Sequence, residues 1–154
     1  MIFLTQVDFD TIEQQLQIEL PVHYKSFHLQ ETALVRELRE GALTDQAHLS
    51  LATDAEWLLQ VNQEAGVPRQ AGPCRGKFCI GTDGGGNDFF INLDDAANTI
   101  VYQAAHDGFP WEEIYDEELD DFIWSHEGLQ MGKDLRDFVE QDIQANKEFE
   151  ESQK

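Results

Sequence analysis

The stretch from Lys77 to Asp107, KFCIGTDGGGNDFFINLDDAANTIVYQAAHD, constrains the fold of this chain more than any other. Three short runs in it alternate apolar and polar residues. Lys77–Thr82 puts Phe78 and Ile80 on one side. Asp88–Leu93 does the same with Phe89, Ile91 and Leu93, and Thr99–Ala104 with Ile100, Tyr102 and Ala104. Each has the period of two that marks a half-buried strand. Between the first two runs, Gly81 leads into Asp83-Gly84-Gly85-Gly86-Asn87. These glycines admit positive φ, and Asp83 and Asn87 can bond nearby backbone to close a tight turn. The expected core is therefore an antiparallel meander.

Helices are expected on both sides of it. Asp10-Thr11-Ile12-Glu13 has the form of a capping box, with Asp10 as N-cap and Ile12, Leu16 and Leu20 as the buried positions up to Pro21. Pro21 can open a second helix to Leu29, with Val22, Tyr24, Phe27 and Leu29 as its apolar side. His23 and His28, five apart, are poorly placed to share a metal and read as surface or helix-end residues. The run 33–43 is compatible with helix or strand, and 48–52 alternates like an edge strand. Asp54 caps a helix through Glu64, with Trp57, Leu58 and Val61 inward and Gly66 as its stop. A helix is expected over about Glu117–His126 and another from Asp134, with Leu135, Phe138, Val139 and Ile143 inward, before a polar, frayed tail from Asn146. The whole chain of 154 residues is expected to form one α+β domain, an antiparallel sheet with a central meander flanked by N- and C-terminal helices.

Charge separates the two halves. Residues 1–75 carry eleven Asp and Glu against five Lys and Arg, a balance of −6; residues 76–154 carry twenty against five, a balance of −15. A surface of that sign repels nucleic acid and anionic membranes and speeds capture of a basic partner. The opening MIFLTQVDFD lacks a basic segment ahead of an apolar run, and no stretch approaches the ~18 apolar residues of a span, so a soluble cytoplasmic protein is expected. Cys74 and Cys79 read as plain thiols, because no second pair follows at zinc-site spacing.

Motifs for catalysis are weak. The glycine-rich turn has no GK[ST] ending, contains Asp83 and leads into a strand, which argues against a nucleotide site. Asp83, Asn87, Asp88, Asp94 and Asp95 do not follow the calcium-loop spacing. His106 and Asp107 are adjacent and have no nucleophile in an elbow motif nearby. No cofactor, metal site or catalytic residue is expected.

The chain resembles the SUKH superfamily, the Smi/Knr group of a fungal cell-wall-synthesis regulator and many bacterial immunity proteins. The resemblance lies in Leu20-Pro21 with Tyr24 and Phe27, in Ile80-Gly81-Thr82-Asp83-Gly84-Gly85-Gly86 with Asp88, and in Val101-Tyr102 ending at His106-Asp107. It spans roughly residues 12 to 107. After Phe27 the chain departs from the usual Asn-Gly-Gly turn with HLQETALVRELREG. The resemblance implies an α+β fold and a non-catalytic binding role, in bacterial members the neutralisation of toxins such as nucleases or deaminases. The leading expectation is an immunity protein for a cationic toxin. A regulatory scaffold is the alternative, and a metal-dependent hydrolase using Asp83, Asp88 and His106 ranks below both. Expected partner-binding residues are Asp83, Asp88, Asp94, Asp95, Trp111, Glu112, Glu113, Tyr115, Asp116, Glu117, Glu118, Asp120 and Asp121; Trp124 is a further candidate anchor that also suits a core position.

Overall fold

In the computed structural model, which describes residues 3–41, 50–66, 72–83, 86–104 and 108–153, the meander forms where its alternation places it. The chain runs α1 (Gln6–Leu16), α2 (Val22–Gln30), α3 (Thr32–Glu40), α4 (Ala55–Glu64), β1 (Lys77–Thr82), β2 (Asp88–Asn92), β3 (Val101–Ala104), α5 (Trp111–Ile114), β4 (Tyr115–Asp116), β5 (Asp121–Phe122), β6 (Gln130–Gly132) and α6 (Leu135–Ser152). Strands β1, β2, β3 and β6 lie side by side in that order, each pair antiparallel, while β4 and β5 form a separate hairpin. This is an α+β fold.

Phe78 pairs with Ile91, Cys79 with Phe90, and Phe90 with Tyr102. The register slips between Cys79 and Gly81, so Gly81 sits opposite Phe89. Gly81 thus belongs to the strand and not to the turn, a correction that follows from the bulge. The turn is closed as expected: the Asp83 amide donates to the Asn87 carbonyl (3.1 Å), and the Asn87 amide returns to Asp83 Oδ1 (3.1 Å). Gly86 has φ +97° there, a conformation L side chains rarely adopt. Gly84 and Gly85, like His106 and Asp107, lie outside the described residues.

The sheet is buried on both faces, not on one. Phe78, Ile80, Phe89, Ile91 and Val101 enter the main core, which helices α1, α2, α3 and α6 cover with residues such as Phe9, Tyr24, Val35 and Phe138. Cys79, Phe90 and Ala104 face the other way, under Trp57, Val61, Phe122 and Trp124. Tyr102 and Ala104 therefore mark the second face, and Val101 is the β3 residue in the main core. The outer edge of β1 is closed by a side chain. Buried Asn62 of α4 accepts from the Cys79 amide (2.8 Å) and donates to the Cys79 carbonyl (3.0 Å), pairing with the strand as a neighbouring strand would.

Several expected elements differ. Helix α1 starts five residues early: Thr5 Oγ1 accepts from the Asp8 amide (3.2 Å) and Asp8 Oδ2 accepts from the Thr5 amide (2.8 Å). That start places Phe9 within the helix, in line with Ile12 and Leu16, and burial of the three together outweighs the competing box at Asp10. The helix ends at Gln17, φ +55°, so Leu20 is buried from the connection and not from the helix. In α2 the buried stripe is Tyr24, Phe27 and His28, spaced i, i+3, i+4, and His28 is 1% exposed where a surface histidine was expected. Val22, expected inward, is 71% exposed. Residues 33–40 are helical, with Val35 and Leu38 inward.

The edge strand expected at 48–52 is absent over its described part; Ser50 to Ala52 makes a single strand-like bond, the Ala52 amide to the Ile80 carbonyl (2.8 Å). No helix occupies 117–126. Asp116 Oδ1 accepts the amides of Glu118 (3.0 Å) and Leu119 (3.2 Å), and Asp120 has φ +52°; side chain to backbone bonds close a hairpin turn where a helix would crowd four carboxylates, Glu117, Glu118, Asp120 and Asp121, into its first turns. The tail is helical to Ser152, with Gln144 donating to Glu148 (3.2 Å) and Lys147 pairing with Glu37 of α3 (3.2 Å). Among the described residues no helix is long and apolar enough to cross a membrane.

Candidate protein-interaction surface

Residues 111–122 rise from the second face of the sheet as one turn of helix and a two-strand hairpin. Pro110 presets the entry to α5, and Ile114, fully buried against Leu129, Phe122 and Trp124, anchors it. With Ile114 inward, Trp111 is turned outward and 46% exposed. It stacks on Tyr115 with ring centroids 4.4 Å apart and planes at 17°, and Phe122 meets both rings edge-on. These three rings, with Pro73, Glu117 and Asp120, line an open cleft of about 450 Å³. The Tyr115 hydroxyl donates to Asp120 Oδ1, which pushes the phenol up to about 12 and keeps it protonated.

The base of the hairpin is tied down by Asp121. Its Oδ1 accepts from the amides of Cys74 (2.9 Å) and Phe122 (2.8 Å) and from the Trp124 indole (3.2 Å), while Oδ2 faces Arg75 Nε at 3.5 Å. Arg75 also donates to the carbonyls of Leu119 and Asp120, so one guanidinium joins the 72–76 loop to the hairpin turn. Lys77 is buried beneath, its Nζ 4.9 Å from the Trp124 ring centre and 5.4 Å from that of Tyr102. Burial lowers its pKa, against the opposing pull of Asp121 and then Asp94. Lys77 is thus engaged inside the protein, while Arg75, with its side chain 36% exposed, is held against the hairpin by these bonds. From Trp111 to Trp124 the sequence has seven carboxylates and no Lys or Arg, so what the hairpin turns outward is aromatic and anionic.

The SMI1/KNR4 family (SUKH-1) matches residues 4–140, most of the chain. The chain belongs to this family. No curated protein and no solved structure shows a significant match. The matched region reaches beyond residues 12–107 to take in the hairpin, β6 and the first turns of α6. Membership agrees with the α+β architecture and with a family that is generally non-catalytic.

In this SMI1/KNR4 domain the expected partner-binding residues divide into four groups. Trp111, Glu117 and Asp120 are exposed in the lining of the cleft, with Tyr115 half-buried in its wall, and Glu112, Glu113 and Glu118 are exposed in the same segment. Asp116 and Asp121 are committed to the turn and the hairpin base by the bonds above. Asp94 lies at the same end of the sheet, against Gly76 and acting on Lys77, with Asp95 exposed beside it. Gly76, φ +69°, has room for no Cβ there: one would fall 2.0 Å from Asp94 Oδ2. Asp83 and Asp88 sit at the opposite end of the β1–β2 pair, about 17 Å away along the strand at ~3.4 Å per residue.

The sequence reading missed Phe122 and Pro73 as cleft walls and Arg75 and Lys77 as the cations beneath. An aromatic every few residues, Trp111, Tyr115, Phe122 and Trp124, was visible, but assigning 117–126 to a helix hid their shared side. Trp124 is half-buried and packs edge-on to Phe90 and Tyr102, part of the support beneath the cleft. Cys74 and Cys79 are buried and unbridged, and burial, then Asp88, pushes the Cys79 thiol up to about 12, far from a reactive thiolate. Among the described residues no three His, Cys, Asp or Glu side chains are grouped to hold a metal ion.

Proposed function

We propose that this SMI1/KNR4 domain is a non-catalytic, cytoplasmic protein-binding domain, a bacterial immunity protein that neutralises a cognate basic toxin, nuclease or deaminase, by covering it. The observation that carries the reading is the half-exposed Trp111 cleft lined by Glu117 and Asp120, in a segment that also exposes Glu112, Glu113 and Glu118, on a chain of net charge −21. Aromatic anchors at an interface centre carry most of the affinity, and rim charges raise the association rate. A nuclease is basic where it holds phosphate, so the two surfaces are complementary in sign.

The test is co-expression with the product of the adjacent gene, followed by association kinetics. The domain is expected to rescue growth and to co-purify with that product, and the association rate is expected to fall steeply between ~50 and ~500 mM salt as the steering field is screened. A salt-independent rate, or turnover of a substrate by the purified domain alone, overturns the reading. A regulatory scaffold of the Smi/Knr kind is favoured instead by one feature, the second acidic end at Asp83 and Asp88, which offers a separate contact region. A partner bound there together with a partner at Trp111 would select that alternative.

A further inference from the structure

We infer that the Trp111 cleft is a receptor for a single arginine side chain presented by the basic partner. This rests on the protein-binding reading above and makes it specific. The walls are flat rings: Trp111 stacked on Tyr115 at 17°, with Phe122 edge-on behind them. The mouth carries two carboxylates, Glu117 and Asp120. A guanidinium is the cation that uses both features, because it is planar, layers on aromatic rings and donates in a fixed fork to carboxylates, whereas an ammonium is a compact, strongly hydrated point charge.

The same chemistry is already present inside the protein. Beneath the cleft, Arg75 is held by the carbonyls of Leu119 and Asp120 and by the Asp121 carboxylate, and Lys77 lies over the rings of Trp124 and Tyr102. Lys77 serves the inner side of the hairpin, and the part-exposed Arg75 is already taken up by the Leu119 and Asp120 carbonyls and the Asp121 carboxylate. On its outer side the segment supplies rings and carboxylates but no cation, so the matching charge comes from another molecule. Asp120 joins the two features: its carbonyl takes Arg75, and its carboxylate, which accepts the Tyr115 hydroxyl, lines the cleft. An acidic or purely apolar segment would meet the exposed carboxylates of Glu112, Glu113, Glu117, Glu118 and Asp120 without supplying a matching charge.

The test is titration of the isotope-labelled full chain with blocked hexapeptides that differ only in carrying two arginines, two lysines or two neutral citrullines, followed through the tryptophan indole signals. The arginine peptide is expected to move the Trp111 indole signal, to bind at least fivefold more tightly than the lysine peptide, and to bind far more tightly than the citrulline peptide. Trp111→Ala is expected to abolish the arginine preference while the Trp57 and Trp124 signals stay in place, which shows that the variant is folded. Glu117→Gln is expected to weaken arginine binding several-fold. Equal affinity for the arginine and lysine peptides, or shifts confined to the Asp83 and Asp88 end, overturns the cleft assignment. Failure here is distinguishable from failure of the broader reading: if Trp111→Ala still protects against and co-purifies with the adjacent gene product at unchanged affinity, the arginine receptor falls and the immunity reading stands.

Discussion

The two faces of the sheet are built from different chemistry. The main-core face is apolar, with Phe78, Ile80, Phe89, Ile91 and Val101 packed against residues of α1, α2, α3, α4 and α6. The second face is covered by one side of α4 together with a short hairpin and a loop, and it buries Lys77 and most of the Asp121 side chain beside the half-buried Trp124. The first face gains its stability from area removed from water, which no particular partner needs to supply. The second depends on a few directional bonds, and its outer surface is left aromatic and charged. One side of the molecule holds the fold together, and the other holds up something to be touched.

That division breaks or sharpens under substitution. The largest effect is expected on the main-core side, where Phe78→Ala removes a fully buried ring and should cost about 3–5 kcal/mol by urea unfolding. A loss under about 1 kcal/mol would mean that this face is not the stabilising one. On the other face, Asp121→Ala takes the acceptor from the Cys74 amide and the Trp124 indole and the partner from Arg75, with an expected cost of about 1–3 kcal/mol. It should also alter the near-ultraviolet signal of Trp124, which Phe78→Ala in its residual folded state should leave alone.

The smallest effect is a pH dependence on the main-core side. Burial lowers the His28 pKa to about 3, against an ordinary value near 6.5 in the unfolded chain. Below pH ~6.5 the unfolded chain binds a proton that the folded one refuses, so stability falls with pH by up to about 1.4 kcal/mol per unit from this one residue. His23 is lowered too, by burial against the pull of Asp134, and adds in the same direction. The difference between wild type and His28→Leu isolates His28. Wild type should lose stability between pH 7 and 5.5 more steeply than the variant, and parallel curves would contradict the buried neutral imidazole.

Much of this was legible beforehand because it is local. The alternation at 77–82, 88–93 and 99–104 placed three strands, the Asp83–Asn87 turn closed as its side chains require, and Asp54 and Asp134 capped the helices they precede. Two capping boxes competed near the N-terminus, and a local rule has no means to choose between Thr5 and Asp10; the burial of Phe9 against Tyr24 did so. His28 was misplaced for the same reason, since the sequence shows a helix stripe but not which helices surround it. The aromatic residues of the candidate site were all visible as residues, but not as a cleft.

What the sequence by itself determined is the antiparallel meander and the sign and unequal distribution of charge, carried by short-range pattern and composition, and the family, carried by the SMI1/KNR4 match over residues 4–140. What only the tertiary structure decided is which side of each strand meets which cover, that Asn62 closes the β1 edge, and that Trp111, Tyr115, Phe122 and Pro73 converge while Asp83 and Asp88 stand apart. The physical reason is that side chain to backbone bonds at Asp116 and Asp121 turn the chain into a hairpin only once Cys74 and Arg75, more than forty residues earlier, are beside it. No window of neighbouring residues contains that contact.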